Sequence, residues 1–205
     1  MRLLHVIEAY EDDDPIKRQI LLKLAVATQN TDVIRRYLTR AYVGDKEASI
    51  WFTDVSLALL MKSESWLEWL GHVLPEIGSE DTVKLIFSLY NTFGVTRNQN
   101  TFKMLVRMLE GTDINSLTPA GCYTLAYLYR DAYLLYKHDG TGDLEIRGKL
   151  LGRTLDCYEK CRSISPGYRD ADLLYTTKLA EYASLLTTKG DFEKADQIFQ
   201  KLLIN

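Results

Sequence analysis

The sequence predicts an all-helical solenoid, a stack of antiparallel helical hairpins running through residues 1–205 as a single repeat domain. Three observations lead there. Apolar residues recur at three-and-four spacing along most of the chain. No stretch sustains the alternation of a half-buried strand. Short breaks rich in Gly, Pro, Asp and Asn separate the periodic segments, and short connections make sequence neighbours antiparallel.

Taken in order, Ile16, Ile20, Leu21, Leu24 and Ala27 form the first helical stripe. Pro15 suits its first turn, and Asp12 to Asp14 place negative charge at its positive end. Asn30 or Thr31 caps a second helix through Val33, Ile34, Tyr37, Leu38 and Ala41, which Gly44 ends. A helix is expected over about 47–61. The next opens near Ser63 and carries Trp66, Leu67, Trp69, Leu70 and Val73, with Pro75 and Gly78 behind it. Trp51, Trp66 and Trp69 are expected to fill the N-terminal core. Ser79-Glu80-Asp81 starts a helix through Val83, Ile86, Phe87 and Tyr90 that ends at Gly94. Its partner covers about 98–109 and stops at Gly111.

Thr118-Pro119 is a strong start signal, a capping hydroxyl followed by proline at the first helical position. The helix it opens runs to about His138 and is broken by Asp139-Gly140-Thr141-Gly142. Further helices are expected over about 144–164, 168–189 and from Phe192 onward. Ser165-Pro166-Gly167 and Lys189-Gly190-Asp191 are the turns between them. This makes about eleven helices.

Composition narrows the class. Hydrophobic residues make up 46% and charged residues 26%, a globular balance. The net charge of -3 gives no basic excess of the kind phosphate contacts require, which disfavours nucleic acid as a partner. No apolar run approaches the roughly 18 residues of a membrane span. The opening segment has one short apolar run with Glu8 soon after, too short for a signal peptide and too acidic for a transit peptide. Three cysteines, an odd number in a long chain, fit a reducing compartment. The expected location is cytoplasmic or otherwise intracellular.

Residues 179–202 carry a more specific pattern. Leu179, Tyr182, Ala183 and Leu186 lie on one helix, followed by Gly190-Asp191-Phe192 and then by Ala195 and Phe199. Two alanines permit a close helix crossing, and Tyr182 and Phe199 are expected to fill the space beside it. This pattern resembles the tetratricopeptide repeat. A looser unit precedes it, with Tyr158 to Pro166 as the end of its second helix and the tyrosine-rich segment after Pro119 as its first. Residues 118–205 thus resemble two such repeats, the first with an expanded turn at 139–148, and residues 1–111 are divergent helical hairpins. The resemblance implies a right-handed solenoid with a concave binding surface.

A second resemblance lies near residues 94–110. Gly94-Val95-Thr96-Arg97-Asn98-Gln99-Asn100-Thr101-Phe102 is similar to the junction between pentatricopeptide repeats, which bind RNA. That family places a small polar residue after the aromatic, and Lys103 stands there in this chain.

Catalytic and metal motifs are absent from the sequence. His5, His72 and His138 are far apart, with no ligand at zinc spacing. Cys157 and Cys161 lie one helical turn apart and read, with Cys122, as packed core thiols. Glu11 to Asp14 lack the longer glycine-containing pattern of a calcium loop and read as solvated. No phosphate loop, dinucleotide glycine pattern or serine nucleophile elbow occurs. The expectation is a non-enzymatic protein with no cofactor and no metal.

Tyrosine is the unusual component. Five of thirteen fall in one helix: Tyr123 and Tyr127 near one face, Tyr129, Tyr133 and Tyr136 near another. One reading is packing between hairpins with hydroxyls reaching water. The other is a binding groove, because tyrosine and arginine dominate interface hot spots. The repeat resemblance implies that Tyr123, Tyr127 and Arg130 point to the concave surface, with Thr177, Ala180, Ser184 and Thr187 in the matching positions of the last repeat. The partner-binding candidates are therefore Tyr123, Tyr127, Arg130, Thr177 and Ser184. Lysine, arginine and asparagine, which grip a terminal carboxylate in some family members, are missing from the last repeat's positions.

Stacked repeats need their outer faces covered. Phe199, Leu202, Leu203 and Ile204 form an apolar stripe on the last helix, so a homodimer or a larger assembly through it is expected. The function these features predict is an interaction scaffold or complex subunit that binds another protein or peptide through a concave helical surface. The alternative is an organellar RNA-binding protein of pentatricopeptide type.

Overall fold

The computed structural model describes residues 15–43, 53–63, 66–93, 99–138 and 143–204. Among them are ten α-helices and no strand. We number them α1 (Pro15–Ala27), α2 (Thr31–Val43), α3 (Thr53–Leu60), α4 (Trp66–Val73), α5 (Ser79–Phe93), α6 (Gln99–Met108), α7 (Pro119–His138), α8 (Leu144–Ile164), α9 (Ala171–Lys189) and α10 (Phe192–Ile204). None is long and apolar enough to cross a membrane. The expected roles of Trp51, the acidic run at 11–14 and most of the junction at 94–98 lie outside the described residues.

The chain divides into two compact units. The first comprises residues 1–81 and 88–94. Here α2 packs against α1, α3 and α4. Leu22, Ala25, Val33, Ile34, Leu38, Leu57, Leu60, Trp69 and Leu70 are among its buried apolar residues. Asn30 caps α2 by accepting from the Val33 N–H at 3.2 Å. Of the two tryptophans described, Trp69 is buried and donates its indole N–H to Thr39 Oγ1 at 2.9 Å, while Trp66 is half-buried. That bond satisfies the one polar atom of a ring that otherwise belongs in the core.

The second unit comprises residues 82–87 and 95–205. Its helices pack chiefly on their sequence neighbours: α6 on α7, α7 on α8, α8 on α9 and α9 on α10. The sequence explains the boundaries. Thr118 Oγ1 accepts from the Gly121 N–H at 3.1 Å, and Pro119 needs no donor in that first turn. Asp143 caps α8 by accepting from the Glu145 N–H at 3.0 Å. The helix therefore begins at Leu144, and residues 144–148 of the stretch read as an expanded turn belong to its first turns. Between α8 and α9 the chain turns through Gly167 and through Arg169, whose φ of 51° lies in the left-handed region. α9 begins at Ala171, three residues later than expected, because Tyr168 to Asp170 complete that turn. Gly190, at φ 85°, closes α9, and its N–H reaches the Leu186 and Thr187 carbonyls.

Ala183 on α9 and Ala195 on α10 are both buried. Phe199 is 40% exposed, so it fills less of the space beside them than expected. The core between α7 and α8 holds Cys122, Leu125, Ala126, Tyr129, Ala132, Leu151, Leu155, Cys157 and Tyr158.

Candidate functional site

The tyrosines of α7 do two different jobs. Tyr129 is buried and donates to the Leu109 carbonyl at 2.9 Å, tying α7 to the end of α6. Burial pushes its phenol well above the ordinary range. Tyr123, Tyr127 and Tyr136 are half-buried and turn their rings toward cations. Here packing and a polar surface are served by one helix, because α7 has neighbours on both sides.

At the N-terminal end of α7, an aromatic cluster joins three segments. The Tyr123 ring meets Tyr158 of α8 and Tyr168 of the α8–α9 turn edge-on, each with centroids 5.9 Å apart. Its hydroxyl donates to Asp170 Oδ1 at 2.5 Å. Arg169 lies 5.1 Å from the Tyr123 ring and 5.5 Å from that of Tyr168. One turn along, the Arg130 guanidinium sits 4.3 Å over the Tyr127 ring and pairs with Asp131 at 2.9 Å. Phe87 supports Tyr127 from behind in a perpendicular contact at 6.1 Å. The Tyr158 ring is fully buried, and its hydroxyl has no hydrogen-bond partner. Burial drives that phenol far upward.

At the other end of α7 the chemistry is ionic. Glu181 of α9 accepts from the Tyr133 hydroxyl at 2.9 Å and from Lys137 Nζ at 2.8 Å on one oxygen, and from Lys178 Nζ at 2.6 Å on the other. Lys178 is buried, which a lysine tolerates only with its charge matched. Burial alone would raise the Glu181 pKa, but the hydrogen bonds from Lys137, Lys178 and Tyr133 prevail and hold it down to about 2. Tyr133 is shifted upward, first by burial and then by its bond to Glu181. Arg147 of α8 completes the group, 5.9 Å from the Tyr133 ring centroid.

The five candidates divide. Tyr123, Tyr127 and Arg130 lie together on α7, among the contacts just described. Thr177 and Ser184 are exposed on α9, and their hydroxyls donate back to the Leu173 and Ala180 carbonyls of their own helix. No side-chain bond joins either to Tyr123, Tyr127 or Arg130. Sequence reasoning did not single out Tyr168, Arg169, Asp170, Lys178 or Glu181. The usable signals were the Lys178–Glu181 spacing of three on α9 and the Tyr133–Lys137 spacing of four on α7.

The thiols offer no reactive centre. Cys122, Cys157 and Cys161 are buried thiols outside any disulfide, and burial raises the Cys157 and Cys161 pKa values. A groove of about 650 Å³ lies between α8 and α9, with Gly148, Gly152, Tyr182 and Leu185 among its walls. Among the described residues, no three His, Cys, Asp or Glu side chains converge as a metal would need.

Comparison with known proteins finds no matching family model, no matching curated protein and no matching solved structure.

Proposed function

We propose that the chain is a non-enzymatic α-solenoid module that binds another protein through the tyrosine- and arginine-bearing surface of α7 and the α8–α9 turn. The observation that carries this reading is the Arg130–Tyr127 stack beside the Tyr123–Tyr168–Arg169 group. Tyrosine and arginine supply large contact area with few rotatable bonds, and they dominate interface hot spots. Stacking fixes these arginines before a partner arrives, which lowers the ordering cost of association. The consecutive pairing of α6 to α10 supports the solenoid part of the reading, and the repeat-like pattern at 179–202 supports its kind.

Affinity capture with the wild-type chain and a Tyr127→Ala/Arg130→Ala double variant tests the reading. Proteins retained by the wild type should be lost with the variant while helical circular dichroism stays unchanged. Equal retention by both proteins rejects this surface. Salt-sensitive retention of mixed RNA on a filter, with no protein captured, would favour the pentatricopeptide alternative instead.

A further inference from the structure

We propose that Lys137, Arg147 and Lys178, gathered around Tyr133, form a binding site for a dianionic phosphate group.

The case begins with a charge count. Three cations face one ring: Lys137 at 5.7 Å, Lys178 at 5.9 Å and Arg147 at 5.9 Å from the Tyr133 centroid. Among the described residues the carboxylate that pairs with them is Glu181, which meets both lysines, so three positive charges share one ion-paired negative charge. A donor count gives the same imbalance. Both Glu181 oxygens are occupied by Tyr133, Lys137 and Lys178. Each ammonium has three N–H groups and uses one on Glu181, and the Arg147 guanidinium has five, of which the Tyr133 hydroxyl takes at most a share. Arg147 Nε is buried and has no hydrogen-bond partner. A buried donor without an acceptor is costly, and an oxyanion would supply one.

The net excess of two positive charges matches a phosphate monoester near neutral pH. Access is open on one side: the Lys137 side chain is 43% exposed, while Lys178 and Glu181 are only 11% and 21% exposed. The cluster therefore has a fixed floor and a reachable rim. Its residues come from three helices, so a bound phosphate would bridge α7, α8 and α9. Arginine suits the role because its planar fork holds phosphate in two bonds, and two lysines add charge.

This inference stands beside the protein-binding reading and does not depend on it. Calorimetric titration of the full chain with inorganic phosphate, against acetate at equal ionic strength, tests it directly. The expected result is saturable phosphate binding, about tenfold or more tighter than acetate. Arg147→Gln should weaken it about tenfold, and Glu181→Gln, which removes the competing charge, should strengthen it. Lys137→Gln, altering an exposed side chain, serves the same comparison if Arg147→Gln does not fold. N-acetyl phosphoserine amide as a second probe separates the sources: tighter binding than inorganic phosphate indicates a phosphorylated side chain, weaker binding indicates the free ion. Phosphate binding no tighter than acetate, or wild-type affinity in the folded variants, overturns the proposal.

Discussion

The Tyr133 hydroxyl donates to Glu181 at 2.9 Å, joining two residues 48 positions apart in sequence. This contact centres a network in which a buried lysine, an exposed lysine and a phenol share a single carboxylate. Removing that carboxylate leaves Lys178 buried without its counter-charge. Glu181→Gln is expected to cost about 2 kcal/mol and Tyr133→Phe about 1 kcal/mol. Urea denaturation followed by circular dichroism measures both, and a Gln variant as stable as wild type would contradict the network.

The same carboxylate sets an acid dependence. Its folded pKa is lowered to about 2 from an ordinary value of 4.5, so the folded state favours the ionised form. The stabilisation is fully present above the unfolded value and drains as pH falls from 4.5 towards 2. The stability difference between wild type and Glu181→Gln should therefore shrink across that window. A difference that stays constant in denaturation curves from pH 6 to pH 2 would show that charge plays no part.

Two glycines make opposite predictions. Gly190 holds φ 85°, so a side chain there strains the backbone, and Gly190→Ala should destabilise by about 1 kcal/mol. Gly152 lies within α8, and an added methyl would meet nothing within 4 Å. Gly152→Ala should stabilise by roughly 0.5–1 kcal/mol through helix propensity alone. Melting temperatures that move in the same direction for both would refute the pair.

The alanine crossing is tested by enlargement. Ala183 and Ala195 are buried on packed neighbours, so Ala183→Leu and Ala195→Leu should each cost about 1–3 kcal/mol. Ser184→Ala, one position away on an exposed site, should change stability by under about 0.5 kcal/mol.

The thiols provide a chemical check. All three cysteines are buried, and Ellman's reagent should react with none at its unfolded-state rate until denaturant is added. Rapid labelling of the folded chain would place at least one thiol at the surface.

What the sequence disclosed and what it hid follow from the range of each interaction. Pro119 and Gly190 act within one turn of themselves, so the start of α7 and the close of α9 were readable; Asp143 passed for part of a flexible turn, and its cap on α8 shows only in the structure. The two alanines and the glycine turn between them sit within one hairpin and were legible as spacing. The ionic cluster was not, because Tyr133 and Glu181 meet only after α8 has returned the chain. Neither residue is distinctive in its own helix. Tyr158 enters the sequence reading only as part of the looser repeat, and only packing reveals that its hydroxyl is buried without a hydrogen-bond partner.

The order of packing from α6 to α10 also bears on how the unit is made. When each helix docks mainly on the one just synthesised, the loops to be closed are mostly those of neighbouring helices. Pairing of sequence neighbours favours faster folding than long-range strand pairing does, with structure growing pair by pair. The Tyr133–Glu181 link is then a late clasp, fastened once α9 arrives, and its loss should speed unfolding more than it slows folding.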